Sequence, residues 1–179
     1  MAHIVTAHPV IDDVLSEWGE ALGAARPAYR GHVYRVFNVA TGMVGSDHWG
    51  DELAVASAFH DIGIWSDRTF DYLASSAARA EAYVRERASP ARPELVGALI
   101  ENHHRLMRIR RGANAEAIEA FRKADLVDVS RGLLGGVDRG FQRELVATFP
   151  YAGFHGILVR TAGAWFVKHP LRPLPMVKL

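Results

Sequence analysis

Residues 51–65 read DELAVASAFHDIGIW, an almost unbroken apolar run that carries two ionisable side chains, His60 and Asp61, near its end. Leu53, Ala54, Val55, Ala56, Ala58 and Phe59 leave no polar face on a helical turn, so the stretch predicts a helix buried on all sides. Such a helix needs others around it. Apolar residues elsewhere recur at helical spacing, with no convincing alternation of period two, so the expected fold class is all-α, a single-domain helical bundle.

On the N-terminal side, Val14, Leu15, Trp18 and Leu22 stripe a first helix, closed near Gly23 and Pro27. Tyr29, Val33, Val36, Phe37, Ala40 and Val44 mark a second, expected to end at GSDHWG, residues 45–50. Beyond the opening stretch, Gly63 is the expected stop, and a fourth helix is expected after Asp67, running to the break at SPARP. ELVGALIENHHRLM and AEAIEAFRKADLVDVS read as the fifth and sixth, and DRGFQRELVATF and GFHGILVRTAGAWFVK as two more. The closing PLRPLPMVKL, residues 170–179, is too rich in proline for regular helix and reads as an extended tail laid on the bundle.

With 179 residues, 49% of them hydrophobic, the chain can fill one core, and residues 1–179 are expected to form one domain. The net charge of +1 is mixed along the chain, so a nucleic acid is not an expected partner. Cysteine is absent, so any metal must be held by nitrogen and oxygen. The N-terminus shows no signal-peptide pattern and no stretch is long and apolar enough for a bilayer; no membrane association and a cytoplasmic location are expected.

A carboxylate in an apolar setting is costly unless paired, hydrogen-bonded or bound to a metal. The same anomaly recurs. His32 lies on the row that continues through Val36, Val39 and Met43; His103 continues Val96, Leu99 and Ile100, with His104 beside it; Asp125 sits one turn from both Phe121 and Val129. Taken singly, each has a plain reading as a hydrogen-bonded core histidine, a cap or an ion pair. Together they place a His or an Asp toward the interior from each of four helices, as a nitrogen and oxygen metal site in a bundle requires.

The ordered set of His32, the His60-Asp61 doublet and Asp125 in KADLVDVS resembles the H…HD…D signature of the HD-domain superfamily of metal-dependent phosphohydrolases. GHVYRVFNVA is similar to that family's first-motif helix, AFHDIG to its doublet and IENHH to a further histidine motif, so the resemblance covers about residues 28–130 and leaves 131–179 without a family role. It implies that His32, His60, Asp61 and Asp125 ligate a divalent metal, with the nitrogen ligands favouring Mn, Fe, Co, Ni or Zn over Mg. Members with two metals use further histidines, usually well separated; here only the adjacent His103 and His104 are on offer. One metal per chain is therefore expected, with His103 or His104 as a fifth ligand, a second-metal ligand, a proton donor or a substrate contact. The implied reaction is hydrolysis of a small phosphorylated molecule, a phosphomonoester or phosphodiester such as a nucleotide, by attack of a metal-bound water. HD-like folds also support hydration of small nitrile-like molecules and iron-dependent oxygenation, which is the alternative. A non-catalytic metal-binding or ligand-binding module is the third reading.

Arg35, one turn beyond His32, suits a substrate phosphate or an ion pair orienting a ligand carboxylate. Arg105, with Arg108, Arg110 and Arg111, is either a solvated helix terminus or a basic rim that binds substrate. Asp67 reads as an N-cap for the fourth helix or as a general acid, and Glu101 as a partner that fixes the tautomer of His104. Trp49, Trp65 and Phe70 could wall a pocket, whereas His3, His8, His48, His155 and His169 read as structural or surface residues. A homodimer is compatible with a helical chain of this size.

Overall fold

Proline and glycine set most of the helix limits. In the computed structural model, which describes residues 3–172 and 174–178, the helices are α1 (Pro9–Glu17), α2 (Gly19–Leu22), α3 (Arg26–Val44), α4 (Ser46–Phe59), α5 (Gly63–Ser66), α6 (Leu73–Glu86), α7 (Pro93–Asn102), α8 (Ala115–Val129), α9 (Arg139–Thr148) and α10 (Phe154–Lys168). Proline occupies the first turn of α1, α3 and α7, where its missing N–H costs nothing. Gly45, at φ 80°, separates α3 from α4, and Asp138 caps α9 by accepting from the Phe141 N–H. No strand occurs among the described residues.

As its composition demands, α4 is buried from Glu52 to Phe59 and touches α1, α3, α6 and α7. On one side α3 packs between α4 and α8; on the other, α6 and α7 pair with each other. The chain is thus a single helical bundle around α3 and α4. Outside this core, α10 meets α3, and its first residue, Phe154, is buried against His32. No described helix is long and apolar enough to cross a membrane.

Several boundaries differ from expectation. The first helix is broken at Trp18, whose backbone leaves the helical region, so α1 and α2 replace a single element. GSDHWG contributes only Gly45 to the break, and its remaining residues open α4. The turn after α4 falls at His60 to Ile62, held by i to i+3 bonds, and Gly63 begins α5 instead of stopping a helix. A Cβ on Gly63 would lie 2.7 Å from the Tyr72 Cβ, so that glycine is needed for close approach. The fourth expected helix starts only at Leu73, and α7 stops before His103. The tail does lie on the bundle: Met176 is buried, and the Leu106 N–H donates to the Lys178 carbonyl at 2.8 Å. Pro173 and Leu179 of that tail lie outside the described residues.

Candidate metal centre

Turns concentrate the ionisable residues. Because α4 ends in a tight turn, the neighbouring side chains of His60 and Asp61 reach the same buried point instead of diverging around a helix. His103 and His104 follow the last turn of α7 in the same way, their rings 4.0 Å apart. From α3 and α8 come His32 and Asp125. His32 Nε2 lies 3.6 Å from an oxygen of Asp61 and 3.6 Å from one of Asp125, and His60 Nε2 lies 3.7 and 3.8 Å from the same oxygens.

Backbone and carboxylate acceptors fix the direction of each imidazole. His60 Nδ1–H donates to the Ser57 carbonyl at 2.8 Å, His103 Nδ1–H to the Ile100 carbonyl at 2.6 Å, and His32 Nδ1–H to Asp128 Oδ2 at 2.7 Å. Each ring must then turn Nε2 inward as an acceptor. His32 Nε2 and His60 Nε2 consequently meet at 2.8 Å, and His103 Nε2 lies 3.4 Å from Asp61 Oδ1. His103 Nε2 and Asp125 Oδ1 are buried without any hydrogen-bond partner among the described residues. Buried acceptors facing one another are unfavourable unless a cation or a proton lies among them.

Charge within the cluster follows from that crowding. Burial opposes a charge on His32, but the Asp128 and Asp61 carboxylates outweigh it and hold its pKa at about 9. Burial drives His60 down to about 3, with Asp61 resisting and His32 and His103 adding to the fall. Burial raises Asp125 to about 6, the nearby carboxylates adding to the rise. Despite its burial, Asp61 is held well below the usual carboxylate range by the imidazoles around it. In the metal-free protein His32 therefore keeps a second proton, on Nε2, and donates it to His60. A divalent cation would satisfy the same acceptors with twice the charge.

The donor set fits such a cation. Three overlapping groups, His32 with His60 and Asp125, His60 with Asp61 and His103, and His103 with His104 and Asp125, each bring one ligand atom per residue within 4.8 Å of the others. The structure therefore gathers His32, His60, Asp61 and Asp125, along with His103 and His104.

Other candidates lie elsewhere. Arg35 is fully enclosed: Nε and Nη2 grip Asp128 at 2.5 and 2.9 Å, and Nη1 donates to the Phe149 and Pro150 carbonyls. It orients the carboxylate that orients His32, with four of its five N–H donors spent on these acceptors and the side chain shut away from substrate. Asp67 is bound by both Nη atoms of Arg79 and by Ser75, and Arg79 lowers its pKa, so it is neither a poised general acid nor the cap of α6. Glu101 pairs with Lys178; the partner of His104 Nε2 is instead the Tyr72 hydroxyl, at 2.9 Å. Arg105 is exposed beside the tail, its backbone bridged to Lys178, while Arg108 and Arg110 line a separate groove with Met43, Glu119 and Lys123.

Three residues of the centre were not singled out by sequence reasoning. Asp128 stands one turn beyond Asp125 on the same helix, and Arg35 and His32 pull its pKa down to about 2 against its burial. Tyr72 donates to Asp61 Oδ1 at 2.5 Å. Phe154, from the segment without a family role, stacks on the His32 ring with centroids 4.1 Å apart. No protein-family model matches the chain, and no curated protein or solved structure matches it either.

Proposed function

We propose that this is a metal-dependent hydrolase of the HD type that adds water to a small substrate at a divalent transition metal held by His32, His60, Asp61 and Asp125. The observation that carries this reading is the inward convergence of His32, His60 and His103 Nε2 atoms, each with its Nδ1 committed elsewhere, upon Asp61 and Asp125. Nitrogen-rich donors favour Mn, Fe, Co, Ni or Zn. When bound, such a metal lowers the pKa of water toward neutrality and offsets charge developing on a substrate oxygen.

The chain's own residues supply position and proton handling. Asp128, held by Arg35, keeps His32 in one tautomer; the Ser57 and Ile100 carbonyls do so for His60 and His103. Tyr72 O–H donates to Asp61, so His104 donates its Nε2 proton to the Tyr72 oxygen. His104, half-buried where the others are enclosed, is the group placed to exchange that proton with a substrate. The order of ligands along the chain favours a phosphate ester as substrate. Hydration or oxygenation of a small neutral molecule is the second reading, favoured by the absence of Lys and Arg, among the described residues, from the lining of the cavity that reaches Asp61 and His104.

The test is elemental analysis of protein purified without chelator, alongside His60→Ala and Asp61→Ala, followed by turnover with phosphate esters, small nitriles and, for the iron form, oxygen. About one equivalent of a transition metal, lost in both variants, with metal-dependent release of phosphate is expected. Failure of the wild type to retain Mn, Fe, Co, Ni or Zn would overturn the reading. Metal-dependent nitrile hydration or oxygen uptake instead would select the second.

A further inference from the structure

A chamber of about 200 Å³ lies against the metal centre. Ile64, Phe70, Leu158, Ala162, Leu174 and Met176 form much of its wall, drawn from α5, the segment before α6, α10 and the C-terminal tail. Its polar lining is Asp61, Tyr72 and His104, which joins it to the cluster, and no Lys or Arg among the described residues lines it. Val129, Val159 and Leu174, exposed to 41, 71 and 49%, give the chamber an outer rim open to solvent.

From this we infer that the chamber is the substrate site and that it takes a neutral apolar group of about one ring, the reacting end of the molecule lying at Asp61, Tyr72 and His104. The inference rests on the metal-site reading for the reacting end alone. Size sets the first limit: an apolar cavity of about 150 Å³ takes benzene, whereas sites for larger ligands run to roughly 300–1,000 Å³. Polarity sets the second. A nucleotide would set its ribose hydroxyls and base nitrogens against walls that, among the described residues, offer no polar partner besides Asp61, Tyr72 and His104. An alkyl or phenyl group, by contrast, gains from leaving water for these walls. A phosphate ester of a small apolar alcohol remains compatible with the site; a nucleotide does not.

Benzyl alcohol is a neutral probe of the right size. Calorimetric titration into the wild type, with metal content measured on the same sample, should show binding weakened at least about ten-fold in Ala162→Trp, whose indole fills the chamber. 2-Naphthalenemethanol should bind the wild type at least about ten-fold more weakly than benzyl alcohol, and AMP should not displace the probe. Should Ala162→Trp fail to fold, methyl NMR of the wild type decides, since benzyl alcohol must shift the Ile64 and Leu158 methyl signals first. No binding, binding unchanged by the tryptophan, equal binding of the two-ring alcohol, or displacement by AMP would each overturn the inference. Wild type that binds benzyl alcohol but retains none of Mn, Fe, Co, Ni or Zn would overturn the metal reading alone; metal-loaded protein that ignores benzyl alcohol would overturn the chamber alone.

Discussion

Replacing Asp128 by Asn tests whether the centre is held from behind. The carboxylate accepts three bonds, from His32 Nδ1 at 2.7 Å and from Arg35 Nε and Nη2 at 2.5 and 2.9 Å. An amide of the same shape has one acceptor oxygen, and its NH2 group would face a donor at the other position. The Arg35 charge, enclosed by the Phe149 and Pro150 carbonyls, would lose its counter-ion. Breaking a buried pair in this way costs about 3–5 kcal/mol, and for a chain of this size each kcal/mol moves Tm by roughly 2–4 °C. Urea and thermal unfolding in chelator at pH 7 should therefore show Tm lower by roughly 6–20 °C. Metal-loaded protein should lose about 10–100-fold in affinity as well, because His32 is no longer held in one tautomer. Arg35→Met combined with Asp128→Leu should recover much of the stability but none of the affinity. Unfolding of Asp128→Asn within about 0.5 kcal/mol of the wild type would refute the supporting role.

Three further outcomes follow from the same contacts. The His32 pKa is raised to about 9, so its stabilisation of the metal-free fold is complete below its unfolded pKa of about 6.5 and lost as pH rises to 9. That loss is about 3 kcal/mol; urea unfolding in chelator should register it, divalent metal should reverse it, and stability flat across this window would contradict it. Tyr72→Phe leaves Asp61 and His104 each short of a buried partner, which should cost about 1–3 kcal/mol while one equivalent of metal is retained; metal loss on elemental analysis would show that Tyr72 does more than position. Gly63→Ala sets two backbone-fixed Cβ atoms 2.7 Å apart and should cost about 1–3 kcal/mol in thermal unfolding, an expectation that wild-type stability would sink.

Periodicity in the sequence located α3, α4, α7 and α8 and the inward residues His32, His60, Asp61, His103 and Asp125, because burial of one helical face leaves a repeating trace. Asp128 was within reach of the same reasoning: it stands three residues after Asp125, and two carboxylates on one inward row each need a partner. What spacing cannot give is the partner across a helix interface. Arg35 therefore reads equally as a substrate contact, and only its enclosure by Asp128 and the α9–α10 connection decides otherwise. Tyr72 lies in an irregular segment before α6, where no periodicity marks which side chain turns inward. Asp67 reads as a cap or an acid for a similar reason, since its partner Arg79 sits mid-helix and belongs to no motif.

The C-terminal segment acquires a role from the same geometry. Phe154 stacks on His32, the Phe149 and Pro150 carbonyls complete the enclosure of Arg35, and Leu158, Ala162 and Met176 wall the chamber. The candidate ligands end at Asp125, so a chain stopping near residue 130 would keep every one of them. It would lose the ring and carbonyls that keep water from His32 and Arg35, along with one whole side of the chamber. Water at those positions would weaken the Arg35 grip on Asp128 by raising the local dielectric, and with it the orientation of His32. The candidate ligands and the residues that exclude water from them thus come from different stretches of the chain, and only the former resemble the HD signature.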